Sequence, residues 1–276
     1  MEYIVEIIKF IVIGIVQGIT EILPISSSGH LVIIYNLLNV SSNQQLNLTI
    51  FLHLASSLAL CVFFKDTIKN ILIGTIKYIK YKSNKEDFML FIYIIVSSIP
   101  VAITGLFLKP IVEKNFSNII FVSIGFLITS ITLLILKKIH NKSNDYNFKN
   151  TFLVGAFQCL SVFPGISRSG ITMLGSKASK LDLNKGKQFT FLLLIPISIG
   201  SSILSLFEDE NTLIFTDKNI ILYIISMIIT FIFTYFTLKF FFKVNQEKYY
   251  YYYAVYLILL AFLSLTMLWF FYILYM

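Results

Sequence analysis

Apolar residues run through this chain in stretches too long for a water-soluble core. Residues 48–64, 88–108, 118–136, 189–207, 219–240 and 250–272 each carry enough hydrophobic sequence to span, or nearly span, a ~30 Å hydrocarbon layer as one helix. Water is absent at that depth, so backbone groups must bond within their own segment, which selects helices. The chain is read as all-α and polytopic, a single integral-membrane domain over residues 1–276 with about six transmembrane helices. Hydrophobic residues make up 57% of it and charged residues 13%, so the net charge of +8 cannot signify a broad basic face. The lysines sit in short loops between apolar runs, where they set membrane orientation, and no nucleic-acid partner is expected. Cys61 and Cys159 lie far apart beside apolar sequence and suggest neither a disulfide framework nor a metal site.

Two further apolar regions are broken in the middle. Residues 4–40 are interrupted at LPISSSGH and residues 151–176 at FPGISRSG, leaving pieces expected to be too short to cross alone. Each reads as a re-entrant helical hairpin, tolerated where protein or a wet cavity surrounds its bent backbone. Adding 141 carries Gly14 to Gly155, Gln17 to Gln158, Ile25 to Ile166, Ser26 to Ser167, Ser28 to Ser169 and Gly29 to Gly170. The chain is thus expected to hold two repeats, about 1–140 and 141–276. Lysine-rich stretches 65–87, 137–149 and 177–187 read as cytoplasmic and the acidic stretch 208–217 as outside. Counted from these, the first hairpin dips in from outside and the second from the cytoplasm. Such inverted-topology repeats place a site where their tips meet near the midplane. Within 65–87, residues 70–80 carry an amphipathic pattern that suits an interfacial helix.

The same shift shows where the copies diverge, because it sets Ser27 opposite Arg168 and Glu21 opposite Val162. Glu21 is the only acidic residue well inside an apolar segment, and Arg168 is the only arginine among 22 lysines and arginines. Charge at that depth is costly enough to make function the first expectation. The first tip offers Gln17 and Glu21 on one helix face, then Ser26, Ser27, Ser28 and His30; the second offers Ser167, Arg168, Ser169 and Thr172. Together these suit a phosphate. Arg168 can grip it with two parallel donors, the helix-start N–H groups and the hydroxyls of Ser26, Ser28, Ser167, Ser169 and Thr172 can cradle it, and Glu21 with Gln17 can offer oxygens to a divalent cation. His30 can move a proton for a serine or for water. His53 is read as a packing histidine and His140 as a solvated one.

GIVQGITEILPISSSGHL (14–31) and GAFQCLSVFPGISRSGIT (155–172) closely resemble the two signature segments of the undecaprenyl-diphosphate phosphatases, the bacitracin-resistance family of bacterial inner-membrane enzymes, and FTFLLLIPISIG (189–200) also fits that family. The resemblance implies hydrolysis of a C55 polyprenyl diphosphate to the monophosphate, which recycles the lipid carrier of peptidoglycan precursors, at a site open to the outer side of the membrane. It implies Mg²⁺ or Ca²⁺ as cofactor, held by Gln17 and Glu21, with Ser27, His30, Arg168 and Thr172 in the family's site positions. Gln17 stands where many members have glutamate, which leaves this chain one carboxylate fewer for metal. The expected partners are the polyprenyl diphosphate and membrane lipids, with bacitracin competing for the substrate and a homodimer as the oligomer considered. Attack by Ser27 and attack by water are both open at this stage. A lipid transporter or a non-enzymatic binder of the lipid diphosphate would share the broken helices.

Overall fold

A computed structural model of the chain describes residues 2–116, 118–139, 144–208, 217–244 and 246–274. His140 and most of the acidic stretch 208–217 lie outside these. Eleven α-helices account for most of the described residues: α1 (Glu2–Thr20), α2 (Ser27–Leu37), α3 (Ser42–Phe63), α4 (Lys65–Tyr81), α5 (Lys85–Phe116), α6 (Ile119–Lys138), α7 (Phe148–Gln158), α8 (Arg168–Ala178), α9 (Leu183–Glu208), α10 (Asp217–Lys243) and α11 (Tyr250–Leu274). All six expected spans are present as α3, α5, α6, α9, α10 and α11.

Among the described residues seven helices are long and apolar enough to cross a membrane, and the seventh is α1. This corrects the expectation that each broken region leaves only short pieces. Nothing in the sequence interrupts the apolar run before Thr20, so 19 residues coil without a stop and reach about 28 Å at ~1.5 Å per residue. The other three pieces, α2, α7 and α8, are 11 residues each. The stretch 65–87 is helix over most of its length. In α4, Ile71, Gly74 and Thr75 are buried, while Leu72, Ile76 and Ile79 are exposed and flanked by Lys69, Lys77 and Lys80.

The spans read as membrane helices because both their faces are apolar. On α6, Val122, Phe126, Thr129, Leu133 and Leu136 are buried, whereas Ile124, Ile128, Ile131 and Ile135 on the opposite face are exposed, as lipid contact requires. Hydrophobic force alone cannot draw such helices together, so close approach and interhelical hydrogen bonds must. Gly14 and Gly18, four residues apart, press α1 onto α10. A Cβ on Gly18 would stand 2.8 Å from the Thr230 carbonyl oxygen and 2.7 Å from Phe233 Cβ. Across that seam the hydroxyls of Ser226 and Thr230 donate to the carbonyl oxygens of Phe10 (3.0 Å) and Gly14 (3.1 Å). The contact of α7 with α5 is built alike, with the Ser97 hydroxyl donating to the Thr151 carbonyl at 2.7 Å. Phe10 and Thr151 are 141 residues apart.

The same interval recurs in the short helices. Elements α2 and α8 begin 141 residues apart, as do α3 and α9. Ser26 and Ser167 cap α2 and α8 in the same way, each accepting from the amide of the glycine three residues on, at 3.4 and 3.2 Å.

Helix α6 holds both tips. The second turns at Gly165, whose φ of +87° is open to glycine and strained for other residues. A Cβ there would also lie 2.3 Å from the Val122 carbonyl oxygen. Gly165 O accepts from Thr129 Oγ1 at 2.8 Å, and that oxygen accepts from Ser167 N–H at 3.0 Å, so one threonine fixes both sides of the turn. Gly165→Ala combines a forbidden φ with a clash and is expected to destabilise the protein by ~2 kcal/mol or more. Thermal unfolding in detergent checks this, and an unchanged Tm would show that the tip relaxes freely.

Candidate active site

The two tips touch. Ser169 Oγ donates to the Leu23 carbonyl oxygen at 3.4 Å, and Gly170 packs against Pro24. The chain enters the first tip from the end of α1. A short turn over residues 21–25 then leads to Ser26, whose positive φ of 70° reverses the backbone just before α2. That reversal brings Ser27 back over the residue six places earlier. Its hydroxyl donates to Glu21 Oε2 at 2.5 Å. One helical turn before Glu21, the Gln17 Nε2 donates to the same oxygen at 3.0 Å. Glu21 and Gln17 are buried, while Ser27 and Ser28 are partly exposed.

Arg168 opens α8 and is half-buried. Its Nη1 donates to Ser198 Oγ of α9 at 2.9 Å, which uses one of five donors. Arg168 and Glu21 lie near enough for each to feel the other's charge, yet no direct ion pair joins them among the described residues. A guanidinium with unused donors facing a carboxylate across a gap is an arrangement for gripping an anion between them. The far end of α8 is anchored. Lys177 Nζ donates to the carbonyl oxygens of Leu136 (3.0 Å) and Ile139 (3.2 Å) and pairs with Glu247 at 2.5 Å, so α8 is fixed opposite its arginine.

The remaining expected residues divide between facing the gap and building its walls. Ser28 Oγ is 3.3 Å from Ser26 Oγ, and Ser169 Oγ is 3.2 Å from Ser167 Oγ. Thr172 Oγ1 donates back to the Arg168 carbonyl at 2.7 Å, which spends its proton on the first turn of α8. The ring of His30 is tied at both nitrogens: Nδ1 is 2.7 Å from the Ser26 carbonyl oxygen and Nε2 is 2.8 Å from the Tyr256 hydroxyl. Phe126 meets the ring edge-on and Tyr256 stacks on it. In this arrangement the nearest acceptor for the Ser27 proton is Glu21, and His30 holds the turn that presents Ser27.

Sequence reasoning missed two participants. His53, read as packing, projects from α3 so that its Nδ1 lies 3.7 Å from Glu21 Oε1 and 3.5 Å from Gln17 Nε2. An ionisable group inside an apolar run was the signal that could have found it. Ser198, the partner of Arg168, stands 141 residues after Ser57 in the same repeat interval.

The donors can be weighed against the divalent cation expected here. Gln17 Oε1 is fully buried without a hydrogen-bond partner among the described residues, and Glu21 Oε1 is not used by Ser27. An orphaned amide oxygen next to a free carboxylate oxygen fits an oxygen-seeking cation. The described residues hold no group of three His, Cys, Asp or Glu, so further ligands must come from substrate or water.

Comparison with known proteins agrees with this geometry. A family model described as bacitracin resistance protein BacA matches residues 10–263. A protein of Acholeplasma laidlawii named undecaprenyl-diphosphatase is 33% identical over 281 residues, covering 97% of this chain and 99% of that one. Undecaprenyl-diphosphatase 1 of Bacillus cereus is 32% identical over 275 residues, covering 97% and 100%. The undecaprenyl-diphosphatase of Thermosipho africanus is 39% identical over 202 residues, covering 72% and 79%. With a family match that takes in both tips and every span from α3 to α10, the chain belongs to the BacA bacitracin-resistance family.

Proposed function

We propose that this membrane protein is a phosphatase that converts undecaprenyl diphosphate to undecaprenyl phosphate and inorganic phosphate, recycling the lipid carrier of cell-wall synthesis in the bacterial inner membrane. The observation that carries the reading is the pairing of Ser27 Oγ with Glu21 Oε2 at 2.5 Å across from a half-used Arg168. A hydroxyl poised on a carboxylate beside an anion-gripping guanidinium is equipment for phosphoryl transfer. A transporter of an anionic lipid needs the arginine but has no use for an activated serine.

In the proposed reaction Arg168 binds the diphosphate with its free donors, and the hydroxyls and amides at the starts of α2 and α8 surround the terminal phosphoryl group. Ser27 Oγ bonds to the terminal phosphorus and its proton passes to Glu21. The bond from that phosphorus to the bridging oxygen breaks, and the lipid leaves as the monophosphate. Water then attacks the phosphoserine, releasing phosphate and restoring Ser27. A divalent cation at Gln17 and Glu21, when bound, neutralises charge on the phosphate oxygens. His30 keeps the Ser26 carbonyl, and through it the Ser27 turn, in place.

The repeat interval shared by α2 with α8 and α3 with α9 supports an inverted repeat with re-entrant tips. In the orientation set by the lysine-rich stretches, the site opens to the outer face, where bacitracin would compete for the same lipid diphosphate. The direct test is phosphate release from C55 diphosphate by purified protein in detergent, without any membrane gradient. Release that stops with EDTA and returns with a divalent cation is the expected result. A well-folded protein that releases no phosphate under any cation would move the reading to lipid transport.

A further inference from the structure

His53 has no task in the reaction above, although it is aimed at the two residues proposed to hold the cation. We infer that His53 Nδ1 is the third protein ligand of that cation, and that the resulting Gln–Glu–His set favours a first-row transition ion such as Mn²⁺ over Mg²⁺ or Ca²⁺. This rests on the phosphatase reading of the same site.

The geometry carries it. His53 Nδ1 stands 3.7 Å from Glu21 Oε1 and 3.5 Å from the nearer atom of the Gln17 amide, and that amide atom is 3.0 Å from Glu21 Oε2. Atoms bound to one ion at ~2.1 Å and roughly right angles stand about 3 Å apart, so the three side chains already sit near ligand spacing on one side of a common point. As drawn, Gln17 turns its nitrogen toward the other two groups and leaves its oxygen buried and unpartnered. The two ends of an amide have the same shape. Turning it over brings the orphaned oxygen to face Glu21 and His53, an arrangement that only a cation between them can stabilise. Three elements supply the set: α1 gives Gln17, the turn after it gives Glu21, and α3 gives His53. The His53 side chain is 18% exposed against 4% for Glu21, so the histidine lies on the side from which an ion can enter.

The donor types then decide the ion. Mg²⁺ and Ca²⁺ select carboxylates, carbonyls and water, and they gain little from an imidazole nitrogen. One carboxylate, one amide oxygen and one imidazole carry a single negative charge and suit Mn²⁺ or its heavier neighbours. Gln17 in place of a carboxylate lowers affinity for hard ions, and the imidazole compensates only for softer ones.

The experiment is Mn²⁺ titration of the purified full-length protein in a nitrogen-free buffer and detergent, read by electron paramagnetic resonance. In the native protein the spin-echo signal should carry modulation from one directly bound ¹⁴N. His53→Asn should lose that modulation, bind Mn²⁺ at least tenfold more weakly, and release it to a lower concentration of Mg²⁺. Mn²⁺ bound to the native protein without nitrogen modulation, equal affinity in both proteins, or no binding to either would each overturn the assignment. Cation-dependent phosphate release without the nitrogen signal would remove His53 alone from the site. Phosphate release that persists in EDTA would instead remove the cation from the proposed reaction.

Discussion

Ser27→Ala should lower kcat for the lipid diphosphate by about four orders of magnitude or more, the scale seen when a covalent nucleophile is deleted. Alanine leaves Glu21, Arg168 and the fold of the tip in place, because the Ser27 hydroxyl has Glu21 as its partner and takes no part in capping α2. The loss should fall on the chemical step, with substrate binding nearly unchanged. Under single-turnover conditions with terminally labelled substrate, acid quench of the native protein should trap label on Ser27. If Ser27 only donated a hydrogen bond to phosphate, its removal would cost ~1.5–3 kcal/mol, a factor of roughly 10 to 150. A loss of that size, with no phosphoserine trapped, would transfer the attack to water.

The second large effect belongs to Arg168→Lys, which keeps the charge and removes the fork. Lysine offers a single mobile ammonium where two parallel N–H groups are required, and kcat/KM is expected to fall by a factor of about 10²–10³. Ser198→Ala supplies the control, since it deletes the one hydrogen bond that aims the guanidinium without touching its charge or shape. Losing one such contact should cost less than tenfold. Equal losses in the two variants would mean that Arg168 serves packing more than phosphate. Initial rates over a range of substrate concentrations, alongside melting curves, distinguish these outcomes.

The spans were legible in the sequence because a run of twenty apolar residues has few other ways to exist. The tips were legible for a different reason, namely that LPISSSGH and FPGISRSG repeat each other while carrying different charges. Helix α1 was underestimated because its break at Glu21 to Ile25 drew attention from the unbroken run preceding it. The full length of α4 was hidden by its lysines, which read as a loop. His53 and Ser198 could not be placed by pattern, since each sits alone on a long apolar helix and gains meaning only when α3 and α9 pack together. His30 shows the complementary limit. Residue type suggested proton transfer, whereas the partners of its two nitrogens, Ser26 and Tyr256, depend on a tyrosine 226 residues away.

The seam between α1 and α10 sets a timetable for biosynthesis. Helix α1 enters the membrane first, but the serine and threonine that bind its carbonyls come from α10, about 200 residues later, a delay of roughly 10–40 s at ordinary rates of chain elongation. For that interval the small-residue face of Gly14 and Gly18 has no partner, and the acidic group that follows α1 waits beside lipid without the arginine that will later face it. The protein therefore passes through a long half-made stage in which its most polar buried residue is also its least protected. Anything that lengthens the wait, such as a slow stretch of message between α3 and α10, would raise the yield of misassembled chains without altering a single contact in the finished fold.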